Sequence, residues 1–174
     1  DHSVRGMTLN KAVSLMRGKA GTPIKLTILR KGSPSLLHKK LTRDVINVVS
    51  VKSKLFDDHY GYIRLSNFQM KTPDELLQHI AELQKQSQGQ LSGVVLDLRN
   101  NPGGVLQSAV QVSDVFLDAD SLGHERVVVS AKGRLKQVNY MGKAQTADQL
   151  NGVPMIVLVN IGSASASEIV AGAL

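Results

Sequence analysis

The chain has 174 residues, of which 42% are hydrophobic and 20% charged, so it can form one full domain, or a domain plus part of another, around an ordinary core. It has no cysteine, which excludes disulfides and cysteine-based metal sites, and its 3% aromatic content argues against a base-stacking surface for nucleic acid. The 21 basic and 14 acidic residues give a net charge of +7 and are scattered as on a solvated face, except in one cluster: His38, Lys39, Lys40 and Arg43.

The first 46 residues predict a helix followed by two strands. Thr8 is a plausible N-cap for a helix that runs to Arg17, with apolar residues at helical spacing. Residues 23–29 alternate apolar and polar side chains, which is typical of a half-buried strand. Residues 31–35 form a turn, and residues 36–46 contain a second strand that pairs back onto the first. The order helix, strand, turn, strand is that of a small α+β subdomain.

The next segment predicts two strands and a well-marked helix. Residues 48–56 and 60–65 are strand candidates joined by a polar turn. Thr72 is predicted as the N-cap of a helix, with Pro73 at its first position and Glu75 three residues after the cap, in the pattern of a capping box. An apolar stripe indicates that this helix packs on a sheet, and we find no chemistry in it.

Two strand–turn–helix units follow. Residues 93–98 form an apolar strand that enters a turn, residues 99–104, and then a helix that ends at Leu117. After a predicted hairpin with strands at 127–130 and 135–140, residues 153–159 form the last strand and lead through small residues into a helix at the end of the chain. Parallel strands of this kind place both turns at one sheet edge, where sites usually lie.

The first of these turns holds candidate backbone donors. Asn101-Pro102-Gly103-Gly104 places two glycines at the start of a helix, where bare amides can approach a ligand, although a plain turn explains them as well. Asp97, at the end of the strand, is either a catalytic carboxylate or a group that orients Arg99 and caps neighbouring amides.

The second turn, Gly162-Ser-Ala-Ser-Ala-Ser167, holds a candidate nucleophile. Ser165 lies before a helix, where its hydroxyl can stand clear of the sheet beside amides that stabilise an oxyanion. Ser165 and Glu168 also fit a capping box, so nucleophile and helix cap both remain open. A serine nucleophile needs a base, and no lysine follows Ser165. None of the five histidines has the local context of a triad member: His2, His38, His59, His79 and His124.

The two turn motifs together resemble the carboxyl-terminal processing, or tail-specific, proteases of the S41 type. The motifs are Val94-Val-Leu-Asp-Leu-Arg-Asn-Asn-Pro-Gly-Gly-Val-Leu106 and Gly162-Ser-Ala-Ser-Ala-Ser-Glu-Ile169. The phrase Arg5-Gly-Met-Thr-Leu-Asn-Lys-Ala-Val13 is close to the PDZ modules of the same proteases. The resemblance implies an α/β, ClpP/crotonase-like protease core at residues 47–174, preceded by the C-terminal half of a PDZ domain at residues 1–46. It also implies a fragment truncated at both ends.

The resemblance further implies the roles of individual residues. Ser165 would be the nucleophile, and the amide of Ala166 would form the oxyanion hole with that of Gly103 or Gly104. Glu168 would support the active-site helix. The general base would be a lysine in a segment that follows this helix, so we expect the 174-residue fragment to be inactive.

The expected partners are polypeptide substrates recognised by their C-termini, with no metal, cofactor or nucleic acid. Localisation in the periplasm or cell envelope is expected from the family alone, and peripheral membrane association and homo-oligomerisation stay open. Two other functions remain as alternatives. One is a peptide-binding scaffold with a degenerate protease core, and the other is a crotonase-like acyl-CoA enzyme, which the serine motif and the PDZ-like start disfavour.

Overall fold

A computed structural model describes residues 3–45, 49–123, 125–134 and 138–174. The chain divides into two compact units, Asp1–Val48 and Val49–Leu174, each of which is described by itself. No helix among the described residues has both the length and the apolar composition needed to cross a membrane.

The first unit has the predicted order of elements. Helix α1 spans Leu9–Met16, and strands β1 (Pro23–Ile28) and β2 (Leu37–Thr42) pair in antiparallel fashion. The hydroxyl of Thr8 accepts a hydrogen bond from the amide of Lys11, so the predicted N-cap is confirmed. The predicted second strand extended to Ile46, which lies outside the described residues.

Arg43 ties the elements of the first unit together. Its guanidinium donates to the carbonyl of Met16 at 2.9 Å, to the hydroxyl of Thr22 at 3.1 Å and to the carbonyl of Pro23 at 3.0 Å. The end of α1 and the start of β1 are therefore joined through one side chain that follows β2. This arginine of the predicted basic cluster is structural.

The second unit is a four-stranded sheet with helices and a separate hairpin. Its sheet contains β3 (Val51–Phe56), β4 (Tyr60–Leu65), β5 (Gly93–Asp97) and β8 (Met155–Leu158), in that spatial order. The helices are α2 (Thr72–Gln86), α3 (Leu106–Phe116) and α4 (Ala166–Ala173), and the hairpin is formed by β6 (Val127–Lys132) and β7 (Val138–Lys143). Leu135, where the sequence predicts the second hairpin strand to begin, lies outside the described residues.

The direction of the strands places the two candidate turns at one edge. Strand β3 is antiparallel to β4, whereas β4, β5 and β8 are mutually parallel, with Asp97 opposite Leu158 at the ends of the last two. Since β5 and β8 run the same way, the turns that follow them leave the sheet side by side. The predicted juxtaposition of the two strand–turn–helix units is confirmed.

One face of the sheet carries the core. Ile63, Leu65 and Leu96 are fully buried, and they cluster with Leu76 of α2 and Val170 of α4. Side chains that alternate with them along β4 and β5 point to the opposite face, because successive strand residues project to opposite sides. The core therefore fixes both the sheet and the helices that follow the two turns.

The predicted capping box at the start of α2 is wrong. Lys71 is the N-cap residue, and Thr72 is the first residue of the helix. The hydroxyl of Thr72 accepts from the amide of Gln69 at 2.8 Å, and the carboxylate of Glu75 accepts from the amide and the hydroxyl of Ser50 at 3.3 and 2.7 Å. Both side chains fit the local pattern, but their partners lie outside the helix: Thr72 binds the amide of the preceding turn, and Glu75 binds Ser50, which is 25 residues away and beyond any local pattern.

Candidate active site

Hydrogen bonds between Asn100 and Asn160 join the turn after β5 to the turn after β8. The side-chain oxygen of Asn160 accepts from the amides of Asn100 and Gly162 at 2.8 and 3.0 Å, and its NH₂ group donates to the side-chain oxygen of Asn100 at 3.0 Å. Asn100 has a φ of 57°, a backbone conformation that asparagine tolerates better than most residues. The two turns are thus held in a defined register.

Asn101 is the buried centre of this junction. Its side chain is fully buried, donates to the carbonyl of Leu65 at 3.0 Å and accepts from the amide of Gly103 at 2.9 Å. Its backbone carbonyl accepts from the amide of Ala164 at 3.1 Å and from the hydroxyl of Ser167 at 2.9 Å. Asn101 therefore holds the turn at residues 99–104 against β4, and it holds the turn at residues 162–167 against the turn at residues 99–104.

The three serines of the second turn differ in what their hydroxyls do. Ser163 donates to the carbonyl of Leu98 at 2.8 Å and accepts from the amide of Asn160 at 2.9 Å. Ser167 is buried and donates to the carbonyl of Asn101. Ser165 is exposed, and its hydroxyl faces the amide of Glu168 but donates to no carbonyl among the described residues. The two flanking serines are structural, and the middle one presents its hydroxyl to solvent.

The backbone of Ser165 has an unusual conformation. Its φ of 54° and ψ of −112° are rare for a residue with a side chain, and such strain persists only where neighbouring contacts impose it. Glu168 supplies one such contact, because its carboxylate accepts from the amide of Ser165 at 2.7 Å. The amide of Glu168 donates to the backbone carbonyl of Ser165 at 2.9 Å. The side chain of Ser165 in turn faces the amide of Glu168, so the predicted capping box is confirmed.

Gly103 allows the two turns to touch. Its φ is 102°, and a Cβ atom there would lie 2.8 Å from the carbonyl oxygen of Ala164, 2.8 Å from the Cβ of Ser165 and 3.0 Å from the amide nitrogen of Ala166. No side chain fits in this space, so the sequence requirement at this position is for glycine. The close approach that the small-residue run predicts is between backbone and backbone.

The amides near Ser165 divide into used and unused donors. The amide of Gly103 is occupied by the side chain of Asn101. The amides of Gly104 and Ala166 make no hydrogen bond with any residue in the described part of the chain. Gly103 and Gly104 are the two predicted alternatives for an oxyanion-hole donor. Gly104 keeps an amide without a described partner, while Gly103 makes the close contact with the turn that contains Ser165.

Asp97 belongs to an ionic network. Its carboxylate, fully buried, accepts from the amide and guanidinium of Arg99 at 2.8 to 2.9 Å, from the hydroxyl of Tyr62 at 2.6 Å and from the guanidinium of Arg64 at 3.1 Å. The hydrogen bonds from Arg99 outweigh the effect of burial and hold the pKa of Asp97 well below its usual range. Of the two predicted roles, orientation of Arg99 is the one that the contacts support.

The described residues supply no base to Ser165. Among them, no lysine or histidine donates to or accepts from its hydroxyl; His79 pairs with Ser53 at 2.8 Å and His38 with Thr27 at 3.2 Å. His2 and His124 lie outside the described residues. In the same ranges, no three His, Cys, Asp or Glu side chains come together in a way that could hold a metal ion.

The sequence alone does not reveal that Asn101 and Asn160 organise the site. Asn160 lies two residues after the end of β8 and Asn101 four residues after the end of β5, and from such turn positions a short amide side chain reaches neighbouring backbone groups. Their place in the two turns is the available signal. Which backbone groups they bind depends on the pairing of β5 with β8, and a single turn does not reveal it.

Comparison with known proteins agrees with this geometry. The model of peptidase family S41 matches residues 59–174. The carboxy-terminal-processing protease of Bartonella bacilliformis is 46% identical over 172 residues, with 98% of this chain and 38% of that protein covered. The carboxy-terminal processing protease CtpA of Bacillus subtilis is 38% identical over 172 residues, with 99% and 34% covered. The chain thus spans somewhat more than a third of the length of these curated relatives.

A solved structure has a similar mixed α/β fold. The photosystem II D1 C-terminal processing protease matches with a TM-score of 0.58 and 28% sequence identity, over 99% of this chain and 46% of that one. The mixed α/β fold is therefore similar to that of S41 protease structures. The family match takes in both strand–turn–helix units and more than half of the residues. The chain belongs to peptidase family S41.

Proposed function

We propose that Ser165 is the nucleophile of a serine endopeptidase that cleaves protein substrates near their C-termini. The observation that carries the proposal is the difference between the three serines: the hydroxyls of Ser163 and Ser167 donate to backbone carbonyls, while that of Ser165 is exposed and donates to no carbonyl among the described residues. A strained backbone that lifts a serine clear at the start of a helix is the geometry of a nucleophile elbow. The curated relatives are named as carboxy-terminal processing proteases.

The oxyanion hole is assigned to the amides of Ala166 and Gly104. Both lack a partner in the described part of the chain, and the Ala166 amide directly follows the nucleophile. Two preorganised N–H donors stabilise the negative charge that develops on the carbonyl oxygen during attack, and each donor contributes a factor of about 10² to 10³ in rate. Gly103 keeps the two turns in contact, and Glu168 supports Ser165 by holding its amide.

The general base is assigned to a lysine other than those that the structure describes, since none of the described lysines contacts the Ser165 hydroxyl. A neutral, desolvated lysine takes the proton from Ser165 as its oxygen attacks the scissile carbonyl, and it then protonates the departing amine. Water hydrolyses the acyl-enzyme and returns the enzyme to its starting state. Because no described lysine reaches the Ser165 hydroxyl, we expect the 174-residue chain alone to be inactive.

The remaining assignments follow the relatives. Residues 1–46 are proposed to be the C-terminal half of a PDZ domain, whose complete form recognises the C-terminus of the substrate by adding it as a strand. The proposed location is the periplasm or the cell envelope. Both proposals are independent of the serine assignment, because each can fail while Ser165 remains a nucleophile.

The test is cleavage of an unfolded protein that has an apolar C-terminal tail. It compares the full-length gene product, its Ser165→Ala variant and the 174-residue chain. We expect cleavage by the full-length product alone, and the matched control Ser163→Ala should retain activity if it folds. Undiminished cleavage by Ser165→Ala would show that the serine is only part of a turn. No cleavage by any protein, with peptide binding retained, would favour the scaffold with a degenerate core.

A further inference from the structure

The net charge of the chain is concentrated in the first unit. Residues 1–48 contain ten lysines and arginines and two acidic residues, whereas residues 49–174 contain eleven and twelve. The formal charges are therefore +8 and −1, although the basic residues look evenly scattered in the sequence. Every salt bridge between described residues lies in the second unit. The positive charge of the first unit is not compensated within the described structure.

The β1–β2 hairpin carries the densest part of this charge. Lys25 lies directly opposite Lys40 in the antiparallel register, and both are exposed. Side chains opposite one another share a face of the ribbon, and like charges in that position repel and destabilise the pair. His38 adds a polar group to the same face, since it pairs with Thr27 two positions along. An anion bound on this face would relieve the repulsion.

Exposed leucines flank the tip of the same hairpin. Leu29 is 81% exposed and Leu36 52% exposed, on the two sides of the turn that contains Arg30 and Lys31. Amphipathic helices bind the interface of an anionic membrane through apolar side chains that lie beside lysine and arginine, and the hairpin tip has the same combination of side chains. A soluble polyanion would leave these leucines in water. The unit also contains no Phe, Trp or Tyr on which nucleic-acid bases could stack.

We propose that the β1–β2 hairpin is a docking surface for anionic phospholipid membranes. Lys25, Lys40 and the basic tip contact the headgroup phosphates, and Leu29 and Leu36 enter the interface between headgroups and acyl chains. This surface would hold the protein at a membrane without a spanning helix. The proposal does not depend on Ser165, because it rests on charge and exposure in the other unit.

The test is sedimentation of the 174-residue chain with phospholipid vesicles. We expect binding to vesicles of equal parts phosphatidylglycerol and phosphatidylcholine, weakened by salt, and no binding to pure phosphatidylcholine. Each basic residue near an anionic surface raises binding roughly fivefold, so Lys25→Glu with Lys40→Glu should lower the partition coefficient by at least about 25-fold. The matched control makes the same charge change on exposed lysines of the other unit, Lys71→Glu with Lys85→Glu.

A second pair of variants separates a membrane from a soluble polyanion. Leu29→Ser with Leu36→Ser should weaken binding to anionic vesicles several-fold and leave binding to polyphosphate unchanged, with circular dichroism confirming that each variant is folded. The proposal is overturned if the unchanged chain does not bind anionic vesicles, or if the hairpin charge reversal has no more effect than the control. It is also overturned if the leucine pair has no effect on vesicles, because the surface would then respond to charge alone.

Discussion

Replacing Gly103 by alanine tests the contact that brings the two turns together. The new Cβ would stand 2.8 Å from both the Ala164 carbonyl oxygen and the Ser165 Cβ, and 3.0 Å from the Ala166 amide nitrogen. None of these atoms is at the end of a flexible side chain, so the turns must separate. A positive φ costs a residue with a side chain about 1–2 kcal/mol, and overpacking adds about 1–3 kcal/mol. We expect the free energy of unfolding to fall by about 2–5 kcal/mol.

The matched control is Gly89→Ala. Gly89 has a φ of 77° in the same unit, but no atom lies within 4 Å of the position that its Cβ would take. This variant therefore carries only the backbone cost, about 1–2 kcal/mol. Urea unfolding of the 174-residue chain measures both variants, and cleavage by the full-length product measures the effect on Ser165. If Gly103→Ala costs no more than Gly89→Ala and leaves cleavage intact, the close contact does not position the serine.

Two further substitutions test the buried residues that hold the turns of the site in place, Asp97 and Asn101. Asp97→Asn should lower the free energy of unfolding by about 1.5–3 kcal/mol at neutral pH, because it removes the buried carboxylate that accepts charge-assisted hydrogen bonds from Arg64 and Arg99. The folded-state pKa of Asp97 is depressed, so this stabilisation is present above about pH 4 and is lost as the pH falls further. In urea unfolding across pH 3–7, the free energy of unfolding should therefore fall more steeply with decreasing pH for the unchanged chain than for the variant. Asn101→Ala leaves the Gly103 amide and the Leu65 carbonyl without their partner, so we expect the free energy of unfolding to fall by about 2–4 kcal/mol in the same assay. Cleavage by the full-length product should also be lost. An unchanged free energy of unfolding would contradict the central role of Asn101.

The sequence predicts elements best where the pattern is local. Strand β4 has the bounds that its alternation indicates, residues 60–65, and Thr8 caps α1 as expected. The predicted capping box of α2 is wrong, although its local pattern is more complete than that of α1. The reason is that the carboxylate of Glu75 binds Ser50 instead. Local pattern decides only where no partner from a distant segment offers a better bond.

The site could be predicted to the level of the turns and the serine, but not to the level of individual donors. Gly103 and Gly104 are equivalent in sequence, and they differ in the structure because Asn101 occupies one of the two amides. Ser165 forms the helix cap that the sequence predicts, and what distinguishes it from Ser163 and Ser167 is that its hydroxyl donates to no described carbonyl, which the local sequence does not reveal. The concentration of positive charge in residues 1–48 is not evident from the sequence, because a charge count over the whole chain does not include the boundary between the two units.

Covalent trapping of the nucleophile tests the central claim most directly. The full-length gene product is treated with a fluorophosphonate, which reacts with activated serines, and mass spectrometry of its peptides locates the adduct. The three candidate serines lie two residues apart, so fragmentation of a single peptide distinguishes them. We predict an adduct on Ser165 alone and its absence in a folded Ser165→Ala variant. An adduct on Ser163 or Ser167, or cleavage that persists without any adduct on Ser165, would contradict the account.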